Sequence, residues 1–233
     1  MTNELNDLNN KFKSSNPEEI LNFCLKKYKN KIAFASSLGA EDQVLTEMIV
    51  NTDKDLKIFT LDTGRMFNET YRLIDRTNNK YNIKINVIFP DYNEIEAITK
   101  EKGMNFFYES VEDRKLCCKI RKTNPLKRAL KDVEVWITGL RKEQSVTRTT
   151  LNIFEWDETH NIIKINPLAN WTEKQVWDYI KNKDIPYNVL HDKGFLSIGC
   201  APCTRAVNKG EDIRAGRWWW ENPENKECGL HSK

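Results

Sequence analysis

Several things are missing from this chain of 233 residues. No stretch approaches the roughly 18 uninterrupted apolar residues that a membrane-spanning helix needs. Met1 to Asn16 is polar, with Glu4 and Asp7 where a secretory signal would be apolar. A cytoplasmic location with no membrane association is therefore expected. Neither the GxxxxGKS/T phosphate loop nor the GxGxxG dinucleotide fingerprint occurs, so the common nucleotide motifs do not apply. Internal repeats and low-complexity tracts are absent too. Overall charge bias is slight: 37 basic residues against 34 acidic ones leave +3, which says little about partners.

What is present is enough for a core. Hydrophobic residues make up 39% and charged ones 30%, and a chain of this length can bury roughly 70–75% of its unfolded surface. Leu, Ile, Val and aromatic residues recur along most of the chain, unlike the composition of a disordered protein. Charge is uneven along it. Between Arg114 and Arg148 eleven Lys or Arg meet three Asp or Glu, an excess of eight positive charges that marks a candidate anion site or a basic helix face.

The pattern of elements predicts an α/β fold. A helix is expected from Pro17 to about Lys29, with Asn16 or Ser15 as its cap. Strands are expected over Lys31–Ser36, Lys57–Leu61, Ile83–Phe89 and Val133–Leu140. Helices are expected after Gly39 and over Phe67–Asn79, Tyr92–Lys100 and Thr123–Lys131. This alternation implies a mostly parallel twisted sheet with helices on both faces. Leu151–Trp156 and Ile162–Ile165 suggest a late hairpin or two edge strands, and Thr172 with Gln175 forms a capping box opening another helix. Beyond Gly194 periodicity fades into loops. The expected organisation is a helical lead-in over residues 1–30, one nucleotide-binding and metal-binding domain over 31–210, and a mobile C-terminal tail over 211–233.

In an open parallel sheet, ligands bind beyond the carboxyl ends of the strands. That edge collects Ser36-Ser37-Leu38-Gly39, Asp62-Thr63-Gly64-Arg65 and Gly139-Leu140-Arg141. Gly39 lets backbone approach an anion while helix N–H groups and serine hydroxyls donate to it. An ordinary capped turn reads the same way.

Six cysteines remain: Cys24, Cys117, Cys118, Cys200, Cys203 and Cys228. Without a secretory signal, metal binding or thiol chemistry ranks above a disulfide framework. Cys24 falls at helical spacing with Ile20, Leu21, Leu25 and Tyr28, as a small core residue would. The pairs Cys117-Cys118 and Cys200-x-x-Cys203 make four thiolates, a ligand set for a [4Fe-4S] cluster or for structural zinc. Directly adjacent cysteines sit awkwardly on a zinc tetrahedron, which favours iron–sulfur, while Pro202 inside the second pair keeps a redox CxxC reading open. Arg114, Lys115, Lys119, Arg121 and Lys122 surround the first pair and would offset a cluster's negative charge. Cys228 stands apart, a candidate nucleophile in Glu227-Cys228-Gly229-Leu230-His231. Lys226 and His231 would favour its thiolate and Glu227 would oppose it. Arg214 and Arg217, flanking Ala215-Gly216, suit phosphate or sulfate recognition, and the tryptophans at 218–220 would order that segment.

Taken together, Ser36 to Asp42, Leu61 to Arg65, Cys117 to Lys122, Cys200-Ala201-Pro202-Cys203 and Lys226 to His231 resemble the assimilatory sulfonucleotide reductases. Their order and spacing are similar to the iron–sulfur branch, the adenylyl-sulfate (APS) reductases, from about residue 30 onward. The resemblance implies an adenine nucleotide alpha-hydrolase-like fold. It also implies reduction of APS to sulfite and AMP, with thioredoxin or glutaredoxin as electron donor. It would make Cys228 the nucleophile, carrying an S-sulfocysteine. Cys117, Cys118, Cys200 and Cys203 would bind a [4Fe-4S] cluster that tunes the site. Ser36, Ser37, Gly39, Thr63, Gly64 and Arg65 would surround the nucleotide, while Lys122, Arg141, Arg214 and Arg217 would hold the phosphosulfate. Arg148 and His231 are further assignments of the same kind. PAPS, the 3′-phosphorylated nucleotide, is the alternative substrate, and a homo-oligomer is compatible with the reading. The related ATP pyrophosphatases use an SGGxDS loop, from which this chain departs at the second glycine and the final serine. A tRNA-thiolating relative would use the basic segment for RNA but leaves ECGLH unexplained, so nucleic acid is not expected as a partner.

Overall fold

The computed structural model describes residues 2–144 and 150–222. Cys228, His231 and Arg148 lie outside them. The helices and strands, in chain order, are α1 (Thr2–Lys11), α2 (Pro17–Tyr28), β1 (Ile32–Ala35), α3 (Ala40–Thr52), β2 (Lys57–Leu61), α4 (Asn68–Tyr81) and β3 (Asn86–Ile88). They continue with α5 (Tyr92–Lys102), α6 (Val111–Cys118), α7 (Asn124–Ala129), β4 (Val135–Ile137), β5 (Phe154–Asp157), β6 (Ile162–Ile165) and α8 (Glu173–Asn182). The six strands form one sheet in the order β3-β2-β1-β4-β6-β5. β1 runs parallel to β2 and β4, and β4 runs parallel to β6, with Phe34 opposite Ile137 and Ile137 opposite Ile165. β5 is antiparallel to β6 and closes the edge. The fold is thus α/β with a mostly parallel sheet, as expected.

Local sequence explains the elements. β1 and β4 are unbroken apolar runs, the pattern of strands covered on both faces. The Asn16 side chain accepts from Glu19 N at 2.8 Å, Pro17 opens α2, and Ile20, Leu21, Cys24 and Leu25 are its buried side. Thr172 and Gln175 form the capping box of α8, with Val176 and Ile180 buried and Trp177 half-buried. Two elements go beyond the sequence expectation. α1 lies in the expected helical lead-in but at a stretch given no helix of its own; its Asn9 side chain donates to Phe154 O at 2.8 Å and accepts from Phe154 N at 3.0 Å. α6 runs into a π-helical turn over Lys119–Thr123 and then α7, one helical run from 111 to 129.

The chain divides into two compact units. One comprises Met1–Thr60, Arg72–Asn86 and Asp132–Asn188; the other comprises Leu61–Tyr71, Val87–Lys131 and Val189–Lys233. The first carries most of the sheet. Because β4 returns to the other side of β1 from β2, the strand order switches direction between β1 and β4, where ligand crevices form in such sheets. The second unit has its own small core of Ile98, Phe106, Phe107, Cys117, Cys118, Cys203 and Trp218.

Candidate active site

In the sheet unit, the loop after β1 is built around a buried carboxylate. Ser36 is buried, and its Oγ accepts from Leu38 N at 3.2 Å; Leu38 itself adopts a positive φ of 61°. Asp42, in the first turn of α3, accepts from Ser37 N at 2.5 Å and from Ser37 Oγ at 2.6 Å. Burial pushes the Asp42 carboxyl up to about 6, while the Ser37 hydrogen bonds pull it the other way. Gly139, just past β4, also donates its N–H to Asp42, and a Cβ there would collide with Asp42 Oδ1. Gly39 caps α3 with its amide against Ser37 Oγ at 3.3 Å. Arg141 is buried and paired with Glu41, Nε to Oε1 at 2.8 Å and Nη2 to Oε1 at 2.7 Å. Ser36, Ser37, Gly39 and Arg141 are therefore one constellation, organised by Glu41 and Asp42. Neither acid was singled out in the sequence, because each reads as an ordinary first-turn helix residue.

In the second unit the four paired cysteines come together. Cys117, Cys118, Cys200 and Cys203 line one cavity with Arg65, Arg121, Lys122, Phe107 and Trp218 among its other walls. The helical run from α6 through the π turn carries the first pair and, after it, Arg121 and Lys122 of the cavity wall, and π turns recur at functional sites. The second pair sits on a short 3₁₀ turn with Pro202 inside it. Thr63 Oγ1 lies 3.2 Å from Cys200 Sγ, Arg121 donates to Thr63 O at 2.6 Å, and Ala201 N donates to Arg65 O at 2.8 Å. Gly64, at φ 69°, shapes this turn, and its amide donates to Asp62 at 2.7 Å. The Arg65 guanidinium lies 4.8 Å from the Phe107 ring centroid. Arg217 is buried over Trp218 at 4.6 Å and packs against Gly199, beside Cys200. Arg214 sits in the preceding turn, where Arg217 N donates to its carbonyl at 2.9 Å.

The donor set fits a metal group. All four cysteines are free thiols, and burial pushes Cys203 up to about 12 and raises Cys117 as well. Such thiols ionise only with help from a bound cation or cluster. Among the described residues no three acidic, Cys or His side chains converge as ligands of one ion. Four thiols lining one cavity make a donor set for a metal group. Lys122 and Arg217 both act electrostatically on Cys203, as expected of groups that offset the charge of thiolates.

Residues 31–206 match the model of the phosphoadenosine phosphosulfate reductase domain. An adenosine 5′-phosphosulfate reductase of Allochromatium vinosum is 53% identical over 88% of this chain and 80% of that protein. Another from Burkholderia cepacia is 54% identical over 87% and 81%. Among solved structures, the phosphoadenylyl-sulfate (PAPS) reductase from Candida auris, in a phosphate complex, superimposes with a TM-score of 0.77 at 28% identity, covering 89% of this chain and 98% of that one. FMN adenylyltransferase from Candida glabrata, 16% identical with a TM-score of 0.57 over 84% and 68%, shares the fold. With the family model covering most of its length and relatives above half identity, this chain belongs to the phosphoadenosine phosphosulfate reductase family.

Proposed function

We propose that this protein reduces adenosine 5′-phosphosulfate to sulfite and AMP, with a dithiol protein such as thioredoxin or glutaredoxin as electron donor. The observation that carries this reading is the joining of four cysteines and basic side chains around one cavity, in a chain half identical to proteins named for that substrate. Greater identity to APS reductases than to the solved PAPS reductase favours APS over PAPS.

The chemistry is a thiol substitution at sulfur. The Cys228 thiolate attacks the sulfur of APS; the S–O bond to the phosphate breaks, and AMP leaves with that electron pair. The product is S-sulfocysteine. A thiolate of the reductant then attacks Cys228 Sγ, sulfite departs, and the second reductant thiol resolves the mixed disulfide, so that one dithiol becomes one disulfide. Ser36, Ser37 and Gly39 offer donors to the nucleotide, Thr63, Gly64 and Arg65 line it, and Arg141, Arg214 and Arg217 hold the phosphosulfate. Lys122 screens sulfate oxygens as the sulfur is attacked. His231 and Arg148 support Cys228 and the anion. When bound, a [4Fe-4S] cluster held by Cys117, Cys118, Cys200 and Cys203 supplies a fixed, polarisable charge beside Lys122. Reduced free thiols suit a cytoplasmic setting, in keeping with assimilatory sulfate reduction for cysteine biosynthesis.

The test is anaerobic purification followed by an assay for sulfite from APS with thioredoxin, with iron and zinc measured on the same sample. The expected result is sulfite release by a brown protein with about four irons per chain, abolished by Cys228→Ser with iron content intact. A colourless, zinc-loaded protein without turnover, or full activity in Cys228→Ser, would overturn the reading.

A further inference from the structure

We propose that Arg114 and Glu221 form a positioning pair, fixing the register between α6 and the C-terminal segment that leads to Cys228. The role of Cys228 rests on the reductase reading above; the geometry of the pair does not. Arg114 Nε donates to Glu221 Oε1 at 2.9 Å and Nη2 to Oε2 at 2.7 Å, a two-pronged contact. Their side chains are only 1% and 3% exposed. The Arg114 guanidinium also lies 4.7 Å from the ring centroid of Trp218, whose backbone has a positive φ of 41°. Such a backbone is costly for a bulky residue and persists only where its surroundings fix it. They do so here. Trp218 N donates to Cys203 O at 3.1 Å, Arg205 N to Gly216 O at 2.9 Å, and Glu221 N to Trp218 O at 2.9 Å.

The segment 216–221 is thereby fastened on one side to the Cys200–Cys203 turn and on the other to the helix that ends in Cys117 and Cys118. Burying two charges is a poor way to gain stability, since an apolar pair of similar volume packs as well. What the planar fork adds is a single permitted orientation. Cys228 lies seven positions beyond Glu221, a reach of at most about 25 Å of extended chain. The pair thus sets where that stretch of chain begins. The pair also ties the helix that carries Cys117 and Cys118 to the segment 216–221.

The experiment compares Glu221→Gln and Arg114→Lys with the parent in the full, metal-loaded chain. It measures iron content, APS affinity, the single-turnover rate of S-sulfocysteine formation without reductant, and amide hydrogen exchange over 216–221. Arg114→Lys keeps the charge but loses both the fork and the Arg114 hydrogen bond to Cys118, whereas Glu221→Gln alters the fork alone. In Glu221→Gln, iron and affinity are expected within about twofold of the parent, with sulfocysteine formation slower on the order of tenfold or more and exchange over 216–221 faster. Formation within about twofold of the parent in both variants would overturn the proposal. So would iron loss in proportion to the lost rate, which marks a purely structural pair. If the parent itself forms no S-sulfocysteine, the reductase reading fails instead, and unchanged exchange in both variants would then overturn the pair on its own.

Discussion

Asp42 is buried, yet it is the acceptor that holds Ser37 in place. Its carboxyl titrates at about 6 in the fold against an ordinary 3.8. Between those values the folded chain binds the extra proton, so Asp42 favours folding most below pH 4, and that contribution is lost as pH rises through 6. The gap corresponds to about 3 kcal/mol. In Asp42→Asn the urea midpoint should fall less between pH 4.5 and pH 7 than in the parent; an identical pH slope would refute the assignment. Gly139→Ala should destabilise by about 1–3 kcal/mol, because its Cβ meets the same carboxylate. The residue types were legible in sequence: the serine loop in the sheet unit, and in the other unit the four paired cysteines and the basic residues after Cys118. Asp42, Glu41 and Glu221 were not, since each matters through a partner distant in the chain or through burial, and neither leaves a mark in spacing.

The helical run from Val111 shows why one element stayed hidden. Its first turn is capped by Ser110, whose Oγ accepts from Asp113 N at 3.0 Å, and its buried residues are Arg114, Cys117 and Cys118. A buried arginine and two cysteines do not spell an apolar stripe. The π turn over Lys119–Thr123 then breaks the 3.6-residue period. The central strands were legible because their apolar runs are bounded by turn residues, and α8 because its capping box is local. Ser110→Ala should cost about 1 kcal/mol of stability, read as a lowered thermal midpoint, with faster release of bound iron to a chelator. An unchanged midpoint would show that the cap is dispensable to the run carrying Cys117 and Cys118.

Across the molecule, chemistry and structure are divided unevenly. The sheet unit holds the serine loop and the Glu41–Arg141 pair, whereas the four paired thiols fall in the smaller unit. Among the described residues, all the large hydrophobics that stand exposed, Phe89, Tyr92, Met104 and Trp219 among them, belong to the smaller unit. The sheet unit has a different exposure to manage. β5 pairs with β6 on one side only, and a strand with a free margin is a template for pairing with other chains. The Asn9 side chain, a primary amide, presents to Phe154 the same donor and acceptor that a neighbouring peptide group would. It thus imitates a seventh strand for one residue, at the start of β5. α1 thereby covers part of the margin of β5. Asn9→Ala should scatter light sooner on mild heating while activity before heating is unchanged, so that ten residues outside the catalytic resemblance govern how long the protein stays in solution.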